Sequence, residues 1–145
     1  MTGKRISPLY LSLVLSILLA TIHFIAEAFY LYWVYWWLDW LMHFLAGLTG
    51  GLATYWVLFD SGLWRRRSDK ILLPILAVLI CLLIVGVAWE VFEYVFAITD
   101  SYEESYYLDV AHDLIADAVG ALLAAFIGVR QTFPRHDATN SLIDG

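Results

Sequence analysis

Cysteine is nearly absent from this 145-residue chain. The single one, Cys81, has no partner for an internal disulfide, so the sequence does not report a redox compartment. Flanked by Ile80 and Leu82, it reads as a small apolar side chain. No Cys-x-x-Cys pair and no glycine-rich phosphate loop is present. Nucleophilic catalysis has equally little support, because Ser12 and Ser16 lie in an apolar run with no nearby base. A polar stretch long enough for a soluble domain is also missing. Lys and Arg total 8 against 14 Asp and Glu, for a formal net charge of −6. That balance keeps a soluble protein off nucleic acid, and no nucleic-acid partner is expected. The acids mostly lie inside or between apolar runs, so net charge says little else about partners.

What is present is hydrophobic. Apolar residues make up 62% of the chain, against about 45–50% in ordinary soluble domains, and the mean hydropathy is +0.76. The excess falls in four runs, at about 8–29, 37–59, 71–98 and 108–129. Each is long enough to cross a hydrocarbon core of about 30 Å. The sequence therefore predicts an all-α polytopic membrane protein, a four-transmembrane-helix bundle over residues 1–130. A polar tail at 131–145, expected to be cytoplasmic and poorly ordered, follows it.

The first two runs have no Gly or Pro between them. As one helix, residues 8–59 would extend about 78 Å, far beyond any bilayer. The reversal is expected in the aromatic stretch Tyr30-Leu31-Tyr32-Trp33-Val34-Tyr35-Trp36-Trp37, since Trp and Tyr collect at membrane–water interfaces. As a cleavable signal the first run would have Lys4 and Arg5 ahead of it and Ala26-Glu27-Ala28 near its end. Its apolar stretch exceeds the usual signal core of about 7–15 residues, so it reads as a retained helix.

Basic residues set the orientation. Lys4 and Arg5, then Arg65, Arg66, Arg67 and Lys70, then Arg130 and Arg135 all fall on one side of a four-span arrangement. The other two connections carry neither Lys nor Arg, and the longer one, around Glu103 and Glu104, is acidic. The positive-inside rule makes the basic side, with both termini, cytoplasmic.

Against this apolar background stand His23 and Glu27 in the first run, Asp39 and His43 in the second, Glu90 and Glu93 in the third, and Asp109, His112, Asp113 and Asp117 in the fourth. Ionisable groups inside a membrane cost about 2.5 kcal/mol or more each at its centre, and they usually face the bundle interior and mark function. His23/Glu27, Asp39/His43, Asp109/Asp113 and Asp113/Asp117 are four apart, and Glu90/Glu93 three apart. Each set therefore shares one helix face, and the expected arrangement turns all four stripes inward. In the orientation above, all of them lie in the outer half of the membrane.

Seven carboxylates in a low dielectric must share protons, pair with cations or bind metal. Only histidines accompany them. A divalent cation (Mg²⁺, Mn²⁺, Zn²⁺ or Fe²⁺) is the most economical partner. The candidate metal ligands are Glu90, Glu93, Asp109, Asp113 and Asp117, with Asp39 and His43 as candidate catalytic groups. Blander readings stand beside these. Asp109 and Asp39 could simply favour a helix N-terminus. Glu27 could sit in interfacial water, and His23 and His112 could be interface histidines. Gly47, Gly51, Ala116 and Gly120 follow the stripes and are explained by close helix packing.

Asp39-x-x-x-His43-Phe44-x-x-Gly47, Glu90-x-x-Glu93 and Tyr107-x-Asp109-x-x-x-Asp113-x-x-x-Asp117-x-x-Gly120 together resemble bacterial inner-membrane proteins of the YjdF-type family, and more distantly the VanZ-like family. The resemblance spans about residues 37–127. It implies a membrane bundle whose family positions are filled by Asp39, His43, Glu90, Glu93, Asp109, Asp113, Asp117 and Gly120, and it names no reaction. Three functions are open at this stage. The first is a metal-dependent enzyme acting on a membrane lipid or lipid-linked substrate. The second is a proton- or cation-coupled transporter subunit, for which a homo-oligomer could complete the path. The third is a structural assembly partner.

Overall fold

The computed structural model describes residues 6–62, 71–96 and 106–132. Four of its helices are long and apolar enough to span a membrane: Pro8–Ala28, Trp37–Asp60, Leu72–Phe96 and Tyr106–Gln131. The connections holding Arg65, Arg66, Arg67 and Lys70 and holding Glu103 and Glu104, the residues Lys4, Arg5 and Arg135, and the tail at 133–145 lie outside the described residues.

Helix α1 (Pro8–Ala28) opens with proline in its first turn, where a missing N–H costs nothing and the ring pre-sets φ. It stops at Phe29, and Tyr30 takes a left-handed conformation with φ 55° and ψ 35°. Glycine usually occupies such a position. None is available here, so a bulky aromatic carries the strain of the reversal. One turn of helix, α2 (Leu31–Val34), leads through Tyr35 and Trp36 into α3 (Trp37–Tyr55). The aromatic stretch is thus the hinge that its composition suggests. Trp33 and Trp36 are 89% and 70% exposed there, as rings lying at a lipid interface would be.

Helix α3 ends in a π-helical turn, Trp56–Asp60, whose extra residue per turn is marked by Ser61 N–H donating to the Trp56 carbonyl at 2.7 Å. Gly62, at φ +79°, follows. Helices α4 (Leu72–Phe96) and α5 (Tyr106–Thr132) complete the fold. Pro74 falls in the first turn of α4, where it interrupts no helical hydrogen bond.

Helices α3 and α5 make the most extensive contact, and small residues set its closeness. A Cβ on Gly47 would run into the backbone of Asp117, and one on Gly120 into the Phe44 carbonyl and Leu48 nitrogen. Farther along, Gly51 faces Ala121 and Ala124, and the Tyr55 ring lies flat against Gly128. In a membrane, van der Waals contact replaces the hydrophobic effect as the force between helices, so near backbone-to-backbone approach matters more than apolar area. Helix α4 packs on this pair through Val78 and Leu82, which meet Tyr55, Ala121, Ala125 and Val129, with Cys81 partly buried alongside. Helix α1 leans on α3 through Leu11 and Leu15 against Leu48 and Leu52. There Ser12 Oγ donates to the Thr49 carbonyl at 2.9 Å. The outward faces keep large apolar side chains uncovered, among them Ile17, Ile84, Val95 and Leu108, as the lipid-facing side of a membrane bundle does.

Candidate functional site

The start of α3, the end of α4 and the start of α5 meet at one end of the bundle, and the intramembrane acids are gathered there. His43 is the hub. Its Nδ1 lies 3.4 Å from Asp117 Oδ2 and its Nε2 4.0 Å from Asp113 Oδ2. The first contact is at the long limit of a hydrogen bond and the second is an ion-pair distance. Asp39, one turn before His43, completes a group with His43 and Asp113 whose ligand atoms all lie within 4.8 Å of one another. His43, Glu90, Asp117 and Asp113 are only 9%, 7%, 6% and 4% exposed, so water cannot screen them.

Glu90 and Glu93 approach from α4. Glu90 is buried, with its Oε1 lacking a hydrogen-bond partner. Glu93, one turn further along α4, is half-buried, while Asp109 at the start of α5 stands exposed at the rim. Of the residues expected from sequence to form the site, the structure brings Asp39, His43 and Asp113 into one compact group with Asp117 beside His43, buries Glu90 and half-buries Glu93 on α4, and leaves Asp109 exposed. The compact group of three combines Asp39 and His43 with Asp113, whereas Asp117 sits on the other imidazole nitrogen.

Helix α1 departs from expectation. Its stripe does not turn inward. His23 and Glu27 are exposed, and His23 Nδ1 pairs with the Tyr32 hydroxyl at 2.9 Å. The contacts of α1 with α3 lie early in the helix, at Leu11, Ser12 and Leu15, whereas His23 and Glu27 lie about two to four turns later, where His23 meets Tyr32 of the hinge. Tyr32 links that rim to the cluster. Burial, and then the negative charges of Asp39 and Glu27, push its phenol up from 10.0 to about 12. His112 likewise stays outside the cluster, exposed and packed on the Trp40 ring at 4.7 Å between centroids.

Three supporting residues were not singled out in the sequence. The Trp89 side chain hydrogen-bonds Glu93, a pair whose spacing of four was visible. Gly86, four before Glu90, is where a Cβ would come within 2.9 Å of Asp117 Oδ2, so its bareness makes room for that carboxylate. Tyr32 was hidden among the aromatics of the hinge.

Fold and site together define a multi-pass membrane protein with an acidic, histidine-centred cluster buried at one end of its helices. Residues 4–132 match the family described as predicted membrane protein (DUF2238), and the chain belongs to that family, which is the YjdF type. No curated protein and no solved structure matches the chain, and the VanZ-like resemblance gains no support.

Proposed function

We propose that the chain is a divalent-cation-dependent enzyme of the bacterial cytoplasmic membrane, acting on the polar head of a lipid or lipid-linked substrate that enters from the outer leaflet. One observation carries this reading. Asp39, His43 and Asp113 offer ligand atoms within 4.8 Å of one another, at the end of the bundle opposite the apolar plug of Tyr55, Val78, Leu82 and Val129. Donors sharing one small cation at about 2.1 Å stand at most about 4.2 Å apart, so these need draw in by roughly half an ångström.

The surroundings of His43 support the same reading. A metal-binding imidazole usually gives its second ring nitrogen to a carboxylate, which fixes the tautomer. Asp117 beside Nδ1 suits that role, leaving Nε2 to face Asp113. Asp117 is then an orienting group rather than a ligand, and the half-buried Asp39 is the member best able to exchange protons with the aqueous rim. A divalent cation held there supplies Lewis acidity and lowers the pKa of water toward neutrality. The orientation rests on Lys4, Arg5, Arg65, Arg66, Arg67, Lys70, Arg130 and Arg135, all of which adjoin helix ends remote from the cluster.

A proton- or cation-coupled transporter is the second reading. It is favoured by Glu90 Oε1 and Asp113 Oδ1, buried without hydrogen-bond partners, as carboxyls that load and release protons are. The apolar plug opposes it, since a path through one chain has to cross that region.

Metal content and thermal stability of the detergent-purified protein, with and without chelator, separate the two. The enzyme reading expects at least one divalent ion per chain. In Asp113→Asn that ion is lost, together with several degrees of Tm. A wild-type protein that holds no metal and gains no stability from Mg²⁺, Mn²⁺ or Zn²⁺ would sink the reading, and pH-driven flux in proteoliposomes then becomes the measurement of choice.

A further inference from the structure

The glycines on the helix seams serve two different purposes. A Cβ on Gly47 would strike the Asp117 backbone, and one on Gly120 would strike the Phe44 carbonyl and the Leu48 nitrogen. Such positions let helix backbones approach, and packing explains them. Gly86 is different. The three atoms nearest to a Cβ there all belong to side chains: Asp117 Oδ2 at 2.9 Å, Leu114 Cδ2 at 3.0 Å and Asp117 Cγ at 3.8 Å. Gly86 also belongs to the buried stripe of α4, which runs Pro74, Val78, Leu82, Gly86, Glu90. Its neighbours on that stripe carry side chains, and the one bare position lies at the level of Asp117. The oxygen that a methyl group would strike is the oxygen that faces His43. Asp117 Oδ2 lies 3.4 Å from His43 Nδ1, already at the long limit of a hydrogen bond. Asp117 is only 6% exposed, and its backbone cannot withdraw, because Gly47 of α3 is pressed against it. A side chain at position 86 is therefore answered by rotation of the Asp117 carboxylate, and even a small displacement carries the pair out of hydrogen-bond range.

We infer that Gly86 is a positioning residue for the site. Its missing side chain leaves the space in which Asp117 Oδ2 is held against His43 Nδ1, so α4 sets the orientation of an imidazole on α3 through a carboxylate on α5. This rests on the orienting role of Asp117 given above, and it needs a bound cation only for the last of its readouts. Stability and site geometry come apart at this position. Gly86→Ala displaces two side-chain tips and no backbone, so the fold tolerates it and the hydrogen bond does not.

The test uses detergent-purified protein labelled with ¹⁵N-histidine, with chelator present. The His43 Nδ1–H proton, assigned by its absence in His43→Gln, is expected downfield in wild type, because it is donated to a carboxylate. Asp117→Asn is expected to move it upfield, and Gly86→Ala to move it the same way with Tm close to wild type. Gly50→Ala is the control. Its Cβ would press on Leu82 Cδ1 at the same 2.9 Å, with no atom of the cluster among its neighbours. When Mn²⁺ replaces the chelator, Gly86→Ala is expected to bind it about 10- to 100-fold more weakly, the usual cost of losing a partner that orients a ligand. A Gly86→Ala resonance at the wild-type position overturns the inference, and so does an equal shift in Gly50→Ala. A Gly86→Ala protein that does not fold, or that loses as much Tm as Gly47→Ala, assigns the glycine to helix approach and overturns it too. A wild-type resonance that ignores Asp117→Asn removes the contact on which the inference stands. A wild type that binds no Mn²⁺ sinks the cation reading alone, because the proton is observed without metal.

Discussion

At one end of the bundle Tyr55, Val78, Leu82, Ala121, Ala125 and Val129 fill the space between α3, α4 and α5; at the other, the same three helices enclose His43, Glu90, Asp113 and Asp117. The first set gains dispersion energy from every contact and has no polar side chain to satisfy beyond the Tyr55 hydroxyl. The second set costs free energy wherever its charges are not matched. The helices nevertheless stay together along their whole length, because the α3–α5 seam runs past both ends. Gly47 and Gly120 lie beside the cluster, and Gly51 and Gly128 lie toward the plug. What the contrast teaches is that the polar end is held in place by backbone packing next to it, and its own side chains need not contribute to stability.

The largest effect comes from breaking the seam. Gly47→Leu has no room, since even a Cβ collides with the Asp117 backbone, and overpacking costs about 1–3 kcal/mol where neighbours can yield. Backbone yields least, so the loss is expected at the upper end of that range or beyond. Thermal unfolding in detergent measures it. The same variant is expected to lose cation binding, because Asp117 and His43 move apart. A Gly47→Leu protein as stable as wild type would show that the two ends do not depend on a shared seam.

A smaller effect of opposite sign sharpens the comparison. Leu82→Ala opens the plug and is expected to lower stability by about 2 kcal/mol, with or without chelator. Asp113→Asn, measured with chelator present, removes one of several mutually repelling buried carboxylates while Asp117 still faces His43, and is expected to raise stability. Without chelator the sign reverses, because the bound cation is lost. Parallel Tm measurements on the two variants, each with and without chelator, are the check. If Asp113→Asn is destabilising in both conditions, the acids hold the fold together and the polar end is structural.

The spans were legible in the sequence because length is a hard constraint in a bilayer. Helices at Pro8–Ala28 and Leu72–Phe96 start and stop within a few residues of the runs at 8–29 and 71–98. The meeting of Asp39 and His43 with Asp113 and Asp117 was legible too, since spacing fixes a face and chain direction fixes a depth, whereas Asp109, on the same stripe, stays exposed. Which helix a face meets is not contained in spacing. His23 and Glu27 have the same interval as Asp39 and His43, yet they stay at the rim. The contact of α1 with α3 is made early in the helix, at Leu11, Ser12 and Leu15, and the later residues His23 and Glu27 remain exposed. For the same reason the role of Gly86 could not be read, as its partner Asp117 lies 31 positions away in the chain.

The smallest effect concerns the border between rim and cluster. Tyr32, on the hinge, hydrogen-bonds exposed His23 and also senses Asp39 within the site. Its phenol is raised from 10.0 to about 12 by burial first and by the charges of Asp39 and Glu27 second. A raised phenol pKa means that the unfolded chain releases this proton more readily than the folded one. The Tyr32 contribution to stability is therefore intact below pH 10 and falls away as pH climbs toward 12. Phenolate absorbance, taken as the difference between wild type and Tyr32→Phe, isolates this one group among the tyrosines. Asp39→Asn and Glu27→Gln are each expected to draw the midpoint part of the way back toward 10, with burial accounting for what remains. A midpoint that ignores Asp39→Asn but follows Glu27→Gln would assign Tyr32 to the rim alone and make α1 electrically separate from the cluster. A midpoint that follows both would make the hinge the contact through which the exposed stripe of α1 and the buried acids of α3 and α5 influence one another.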